Sequence, residues 1–251
     1  MNNLQDKHAK PEKVEKVSLI CCAYNEAESI TRVLTELLEV ILTFPFHCEV
    51  IIVESNSTDG TREKVLEFCR GEEFVIILQE LPGGKGNAVR AGMASATGDV
   101  IAIYDLDGEY DPRDLVSLIQ AIESGKSSFV LGTRKNELGK MRVLKGHPFL
   151  TLILNLGHEF FTLSFNLLYK TKLSDPFTMW KVFRKEAAQD LIFVSNRFDF
   201  DFELVAKLIL NGSLAQEIEC SYKSRTFKQG KKIRIFYDPI TWLIALIRFR
   251  F

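Results

Sequence analysis

The sequence predicts an α/β fold, a mostly parallel β-sheet with helices on both faces. Three observations predict it. Short apolar runs with strand chemistry recur through the first half of the chain. Amphipathic segments with helical spacing lie between them. Each run ends in polar, ligand-competent residues, as strands of open parallel sheets do at their carboxyl ends.

Residues 1–16 are polar and mixed in charge, which predicts a flexible tail. Val17–Cys22 is the first strand. Ile30, Val33, Leu34, Leu37, Leu38 and Ile41 then mark one face of a helix. Glu49–Val53 is the second strand. Ser57-Thr58-Asp59-Gly60-Thr61 is a turn rich in helix-capping residues, with a helix through Cys69 after it. Phe74–Leu78 is the third strand. Pro82-Gly83-Gly84-Lys85-Gly86 breaks the chain before a helix whose Ala88, Ala91, Gly92 and Ala96 allow close approach to a sheet. Asp99–Tyr104 is the fourth strand. Asp111-Pro112 starts a helix whose apolar face is Leu115, Val116, Leu118, Ile119 and Ile122, and Phe129–Gly132 is the fifth strand.

After residue 134 the pattern changes. Residues 135–147 read as a basic loop, followed by two or three helices and an alternating strand, Leu214–Tyr222. Lys223–Arg234 holds six basic residues and no acidic one, and the chain closes on the apolar, aromatic Asp238–Phe251. The division expected is one domain over residues 17–238 with a helical and basic C-terminal elaboration, then an amphipathic helix over 239–251.

Composition narrows the function. Of 251 residues, 46% are hydrophobic and 26% charged, which excludes disordered and fibrous classes. Thirty-two basic against 33 acidic residues give a net charge of −1, so no nucleic-acid partner is expected. Five cysteines without a CxxC pair make neither a disulfide framework nor a zinc site. The longest apolar region, Phe149–Tyr169, is interrupted by Asn155, Gly157, His158, Glu159 and Asn166, which suits a buried or surface-lying helix rather than a membrane span. Without a secretory signal, the expectation is a cytoplasmic chain, with peripheral contact to the inner face of a membrane.

The strongest local signal is Asp105-Leu106-Asp107-Gly108-Glu109, directly after an apolar strand. Two aspartates two residues apart in extended chain share a face, and a turn at Gly108 brings Glu109 to them. Three carboxylates without histidine or cysteine suit Mg²⁺ or Mn²⁺. An acidic solvated loop is the plain alternative. Lys85 sits among glycines whose exposed N–H groups suit a phosphate, although a flexible loop has the same composition.

In order along the chain stand Ala23-Tyr24-Asn25-Glu26, Val53-Glu54-Ser55-Asn56-Ser57-Thr58-Asp59-Gly60-Thr61, Gly84-Lys85-Gly86-Asn87-Ala88-Val89-Arg90 and the DxD. Gly132-Thr133-Arg134, Asp175-Pro176-Phe177 with Lys181-Val182-Phe183-Arg184, and Tyr222-Lys223-Ser224-Arg225 through Gly230-Lys231-Lys232 follow. This series resembles the family-2 glycosyltransferases of GT-A fold, and within them the dolichyl- or polyprenyl-phosphate mannose and glucose synthases. The resemblance implies that Tyr24, Glu26 and the acidic Glu54 hold the nucleotide of a nucleotide-sugar donor. It places Asp105 by the ribose and metal, Asp107 and Glu109 on the metal, and Arg134 and Arg225 toward phosphates. Two positions depart from the family: Cys22 stands where proline is common, and Glu54-Ser55 where Asp-Asp is common.

The resemblance implies a metal-dependent inverting transferase with a UDP- or GDP-sugar donor and a polyprenyl-phosphate acceptor. A phosphate acceptor is already ionised near neutral pH, whereas a glycan hydroxyl needs a base. Asp201 aligns with the base position of hydroxyl-directed relatives, and equally suits a solvated or capping residue. Lys223–Arg234 and the terminal helix suit a membrane-borne acceptor, or a core helix with a solvated loop. Two rival classes remain. A sugar nucleotidyltransferase should carry a glycine-rich loop with arginine after strand one, where Ala23-Tyr24-Asn25-Glu26 stands. A non-catalytic binding module has no need of the intact Asp105, Asp107 and Glu109.

Overall fold

The computed structural model describes residues 5–135, 148–225 and 238–251. Seven strands form one mixed sheet: β1 (Lys16–Ala23), β2 (His47–Glu54), β3 (Val75–Leu78), β4 (Val100–Asp105), β5 (Phe129–Thr133), β6 (Lys181–Arg184) and β7 (Ala215–Glu219). Their order across the sheet is β3-β2-β1-β4-β6-β5-β7. All neighbours are parallel except β6, which runs antiparallel between β4 and β5.

The flanking helices are α1 (Ile30–Ile41), α2 (Thr61–Phe68), α3 (Lys85–Ser95), α4 (Leu115–Glu123), α5 (Pro148–Tyr169), the short α6 (Lys185–Ala188), α7 (Phe200–Leu210) and α8 (Asp238–Arg248). Ile30, Val33, Leu34 and Leu37 of α1 are buried, the face that the periodicity marks. α3 lies close on the sheet because a Cβ at Gly92 would collide with Ile20. The core runs along the central strands, where Val17, Leu19, Ile20, Ile51, Ile52 and Ala102 are sealed from solvent.

Two expectations are corrected here. The N-terminal segment is not a loose tail from residue 5 onward. The Asp6 carboxylate accepts hydrogen bonds from the Ser128 N–H and hydroxyl and from the Leu214 N–H, each at 2.8 Å, and Val14 is fully buried. Such an anchor is made of side chain-to-backbone bonds and leaves no hydrophobic period in the sequence. Strand β6 was also not expected. Its four residues follow a loop rather than a periodic segment, and they insert between β4 and β5, two strands that follow one another along the chain.

α5 and α8 carry two kinds of face. Phe161 and Phe165 of α5, and Ala245 and Leu246 of α8, are buried, and the Tyr169 hydroxyl donates to the Leu246 carbonyl at 3.0 Å. Phe149, Ile153, Leu156, Phe160, Leu163 and Leu167 form an exposed stripe along α5, continued on α8 by Ile240, Leu243, Ile244 and Ile247. The terminal helix is thus anchored to the core on one side and apolar toward solvent on the other.

Candidate active site

The carboxyl ends of β1, β2 and β4 open into a cavity of about 730 Å³. Its polar end is built from loops that the sequence fastens together. Asn25 and Asn56 turn these loops in the left-handed region (φ 50° and 57°), which asparagine tolerates better than most residues. The Asn25 N–H donates to the Ser57 hydroxyl at 2.9 Å, the Glu26 N–H to the Thr61 hydroxyl at 2.8 Å, and the Thr58 N–H to Asn25 Oδ1 at 2.9 Å. Ser57-Thr58-Asp59-Gly60-Thr61 therefore clamps the loop after β1 as well as starting α2.

Tyr24 and Glu26 line the cavity. Glu54 does not. It is fully buried and accepts from the Asn56 and Ser57 N–H groups at 3.2 and 2.8 Å and from Arg62 Nε. Ser55 faces the cavity in its place. Glu54 shapes the loop that would receive a nucleotide and offers it no carboxylate, because its oxygens are spent on backbone N–H groups.

Asp105, Asp107 and Glu109 line one wall together. The chain turns at Gly108 (φ +73°), and the Glu109 N–H donates to Asp107 Oδ1 at 2.9 Å. Burial, with Asp105 and Glu109 beside it, pushes the Asp107 carboxyl up to about 7, only partly offset by Arg225. Arg225 reaches in from the far half of the chain, Nη1 2.6 Å from Glu26 Oε2 and Nη2 2.8 Å from Asp107 Oδ2. Among the described residues, no three His, Cys, Asp or Glu side chains stand ready as a metal-binding cluster. The sequence-predicted carboxylates are brought together, but around a guanidinium.

Lys85 joins a second cluster. Its Nζ lies 3.6 Å from Asp105 and 3.1 Å from Asp201, while Lys181 on β6 donates to Asp201 Oδ1 at 2.7 Å. Burial disfavours the Asp201 carboxylate, but Lys181 and Lys85 outweigh it and hold the group below its ordinary value. Burial likewise opposes the Lys85 charge, and Asp105 and Asp201 hold that pKa up. Asp201, aligned with the base position of hydroxyl-directed relatives, lies in the cavity wall as a counter-ion to two lysines. A carboxylate held down in this way is a poor proton acceptor. Lys181 was missed as a site residue, although it stands in the quoted Asp175–Arg184 motif.

Arg134 lines the same cavity. Its Nε and Nη2 bond the two oxygens of Asp175 at 2.8 and 2.7 Å, and its guanidinium carbon lies 5.6 Å from the centre of the Tyr222 ring. Asp175 is the buried partner of this arginine. Tyr222 also donates its hydroxyl to Glu109 Oε2 at 3.2 Å, linking the two walls. Part of the cavity is apolar: Ile153, Leu154, Phe161, Phe202 and Trp242 line it. Phe202 stacks on Phe177 with ring centres 3.9 Å apart, and Phe161 meets Trp242 edge-on at 5.4 Å, so α5, α7 and α8 share one aromatic wall. Lys228, Lys231, Lys232 and Arg234 of the basic segment lie outside the described residues, as does most of 135–147.

Residues 18–192 match glycosyl transferase family 2. An uncharacterized glycosyltransferase of Mycobacterium tuberculosis is 27% identical over 94% of this chain and 96% of its own. A dodecaprenyl-phosphate galacturonate synthase of Rhizobium johnstonii is 28% identical over 48% of this chain and 36% of its own. A dolichol-phosphate mannosyltransferase of Pyrococcus furiosus is 24% identical over 82% of this chain and 56% of its own. The chain thus spans about a third and about half, respectively, of these last two relatives. Among solved structures, glucosyl-3-phosphoglycerate synthase of M. tuberculosis with uridine diphosphate aligns at TM-score 0.67 and 15% identity, covering 94% of this chain and 80% of that one. Mannosyl-3-phosphoglycerate synthase of Rubrobacter xylanophilus aligns at 0.65 and 16%, covering 94% and 73%. With the family model matched over residues 18–192 and the fold shared with these solved structures, the chain belongs to glycosyl transferase family 2 and is a glycosyltransferase of GT-A fold.

Proposed function

We propose that the enzyme moves a sugar from a nucleoside-diphosphate donor to a polyprenyl-phosphate acceptor at a membrane surface, with inversion. The observation that carries this reading is the two-ended cavity, ionic under β1 and β4 and aromatic between α5 and α8. A nucleotide sugar suits the first end. A phosphate attached to a long hydrocarbon suits the passage from Arg134 to Trp242.

The donor set fits Mg²⁺ or Mn²⁺. Asp105, Asp107 and Glu109 supply oxygen only, and a cation, the Arg225 guanidinium, already lies among Glu26, Asp107 and Glu109. Such an ion, when bound, neutralises the diphosphate as it leaves the anomeric carbon. Tyr24 and Glu26 border the nucleotide end, and Lys85 adds fixed positive charge there. Arg134, pinned by Asp175, presents charge to the acceptor phosphate without having to be ordered first. Asp201 has no proton to take from an ionised phosphate, in keeping with its role as counter-ion.

The relatives support the acceptor class: two bear names of lipid-phosphate sugar synthases. The exposed stripe of α5 and α8 suits the interface of a bilayer, with its apolar side chains in the headgroup layer. No helix among the described residues is long and apolar enough to cross a membrane. The decisive assay offers radiolabelled UDP- and GDP-sugars with polyprenyl phosphate, the unphosphorylated polyprenol, or soluble glycans. Label extractable into organic solvent with polyprenyl phosphate alone is the expected outcome. Transfer to glycans but not to the lipid phosphate overturns the reading and returns Asp201 to the role of base.

A further inference from the structure

The carboxylates that would take the metal already hold a cation of the chain's own. Arg225 Nη1 lies 2.6 Å from Glu26 Oε2, Nη2 2.8 Å from Asp107 Oδ2 and Nε 3.9 Å from Glu109 Oε1. The backbone adds to this grip. The Arg225 N–H donates to Glu109 Oε1 at 2.7 Å, and the Lys223 N–H donates to the Glu109 carbonyl at 2.8 Å. With the Tyr222 hydroxyl on Glu109 Oε2, the segment Tyr222–Arg225 is fastened to the carboxylate wall by side chain and main chain together.

A divalent ion cannot share this arrangement. It takes oxygen ligands at about 2.0–2.1 Å in near-octahedral geometry, while a guanidinium claims the same lone pairs with directional N–H bonds. Asp107 Oδ1 is occupied by the Glu109 N–H, so Oδ2 is the oxygen best placed for a metal, and Arg225 holds it. Both Glu109 oxygens are likewise engaged by Tyr222 and Arg225. The guanidinium fit is itself incomplete: Nε is buried and has no hydrogen-bond partner.

We infer that Arg225 is the resident counter-cation of the unloaded enzyme, and that metal binding exchanges it out. Arrival of the ion takes Asp107 and Glu109 from Arg225, releases Tyr222–Arg225 from the wall, and leaves the guanidinium to pair with the diphosphate that accompanies the metal. The inference rests on the reading of Asp107 and Glu109 as metal ligands. Two consequences follow from linkage. Arginine occupancy lowers the apparent affinity for the metal alone, because only the released fraction binds it. Nucleotide restores that affinity by offering Arg225 another partner, so metal and nucleotide strengthen each other's binding.

The test measures Mn²⁺ affinity without nucleotide, from the electron paramagnetic resonance of free Mn²⁺, in wild type, Arg225→Gln and Arg225→Lys. Removal of the competing charge in R225Q is expected to tighten Mn²⁺ binding about tenfold and to abolish most of the further gain that UDP or GDP gives wild type. R225K, which keeps the charge but lacks the two-pronged fork of the guanidinium, is expected to fall between them. Equal or weaker Mn²⁺ binding in R225Q, with wild type binding the ion, overturns the exchange and leaves the metal reading intact. No Mn²⁺ binding by any of the three overturns both. Should R225Q fail to fold, the wild-type protein gives the answer. Its Arg225 Nε–H nuclear resonance, assigned by its absence in R225K, is expected to shift when Mg²⁺ is added without nucleotide. An unmoved signal under saturating Mg²⁺ overturns the exchange.

Discussion

Arg134 and Asp175 meet as two flat groups, Nε on Oδ2 at 2.8 Å and Nη2 on Oδ1 at 2.7 Å, with the carboxylate wholly shut off from water. Removal of one member of such a pair leaves a buried charge without compensation. Arg134→Ala is therefore expected to cost about 3–5 kcal/mol of stability. The midpoint of urea unfolding measures it. A midpoint equal to that of wild type contradicts the structural role, and only in that case does lost activity in R134A report on phosphate binding.

Asp201→Asn tests the second buried cluster. The change withdraws the charge that faces Lys181, itself completely buried, and Lys85. The expected loss is about 3 kcal/mol, smaller in the double variant Asp201→Asn, Lys181→Met, where the stranded ammonium is gone as well. Thermal unfolding checks the order of the two. Turnover by the folded fraction of D201N should fall less than about tenfold, whereas loss of a general base costs about a hundredfold or more.

Asp107→Asn keeps the size of the side chain and removes its charge at the rim of the sheet. The fold should persist, with a melting temperature near that of wild type. Isothermal titration with the donor nucleotide should show affinity that rises with Mn²⁺ in wild type and is indifferent to Mn²⁺ or EDTA in D107N. Equal affinity of the wild-type protein in both buffers contradicts metal-dependent binding.

The outer stripe of α5 is open to a direct test. Leu156 is 60% exposed and Leu163 62%, so Leu156→Glu with Leu163→Glu should alter stability by less than about 0.5 kcal/mol. Co-sedimentation with anionic phospholipid vesicles should fall sharply in this variant. In wild type, binding should weaken with salt without vanishing, since screening removes the ionic share and not apolar insertion. Failure of wild type to pellet at low salt contradicts membrane docking.

Much of this architecture is legible in the residues. Strands β1, β2, β4 and β5 are apolar runs buried on both faces, so composition alone marks them. The side-by-side placement of Asp105 and Asp107 follows from strand alternation and a glycine turn. Other features leave no local trace. Asp6 binds residues more than a hundred positions away through main-chain N–H groups. Glu54 turns inward because Asn56, Ser57 and Arg62 claim its oxygens, which strand periodicity does not encode. The meeting of Arg225 with Glu26 spans 199 positions, and only the folded chain reveals it.

The placement of β6 has a consequence for how the protein is made. β4 and β5 emerge from the ribosome early, yet neither pairs with the other. Both wait for Lys181–Arg184, which arrives only after the whole of α5 has been synthesised. Until then the nascent chain exposes two sticky, unpaired strand borders in the middle of its future sheet, each able to recruit a stranger. The same late strand delivers Lys181 to Asp201. Asp201 and β7, the other neighbour of β5, are made later still, so a polypeptide released before residue 184 lacks both the full sheet and the ionic wall and is a client for chaperones rather than a smaller enzyme.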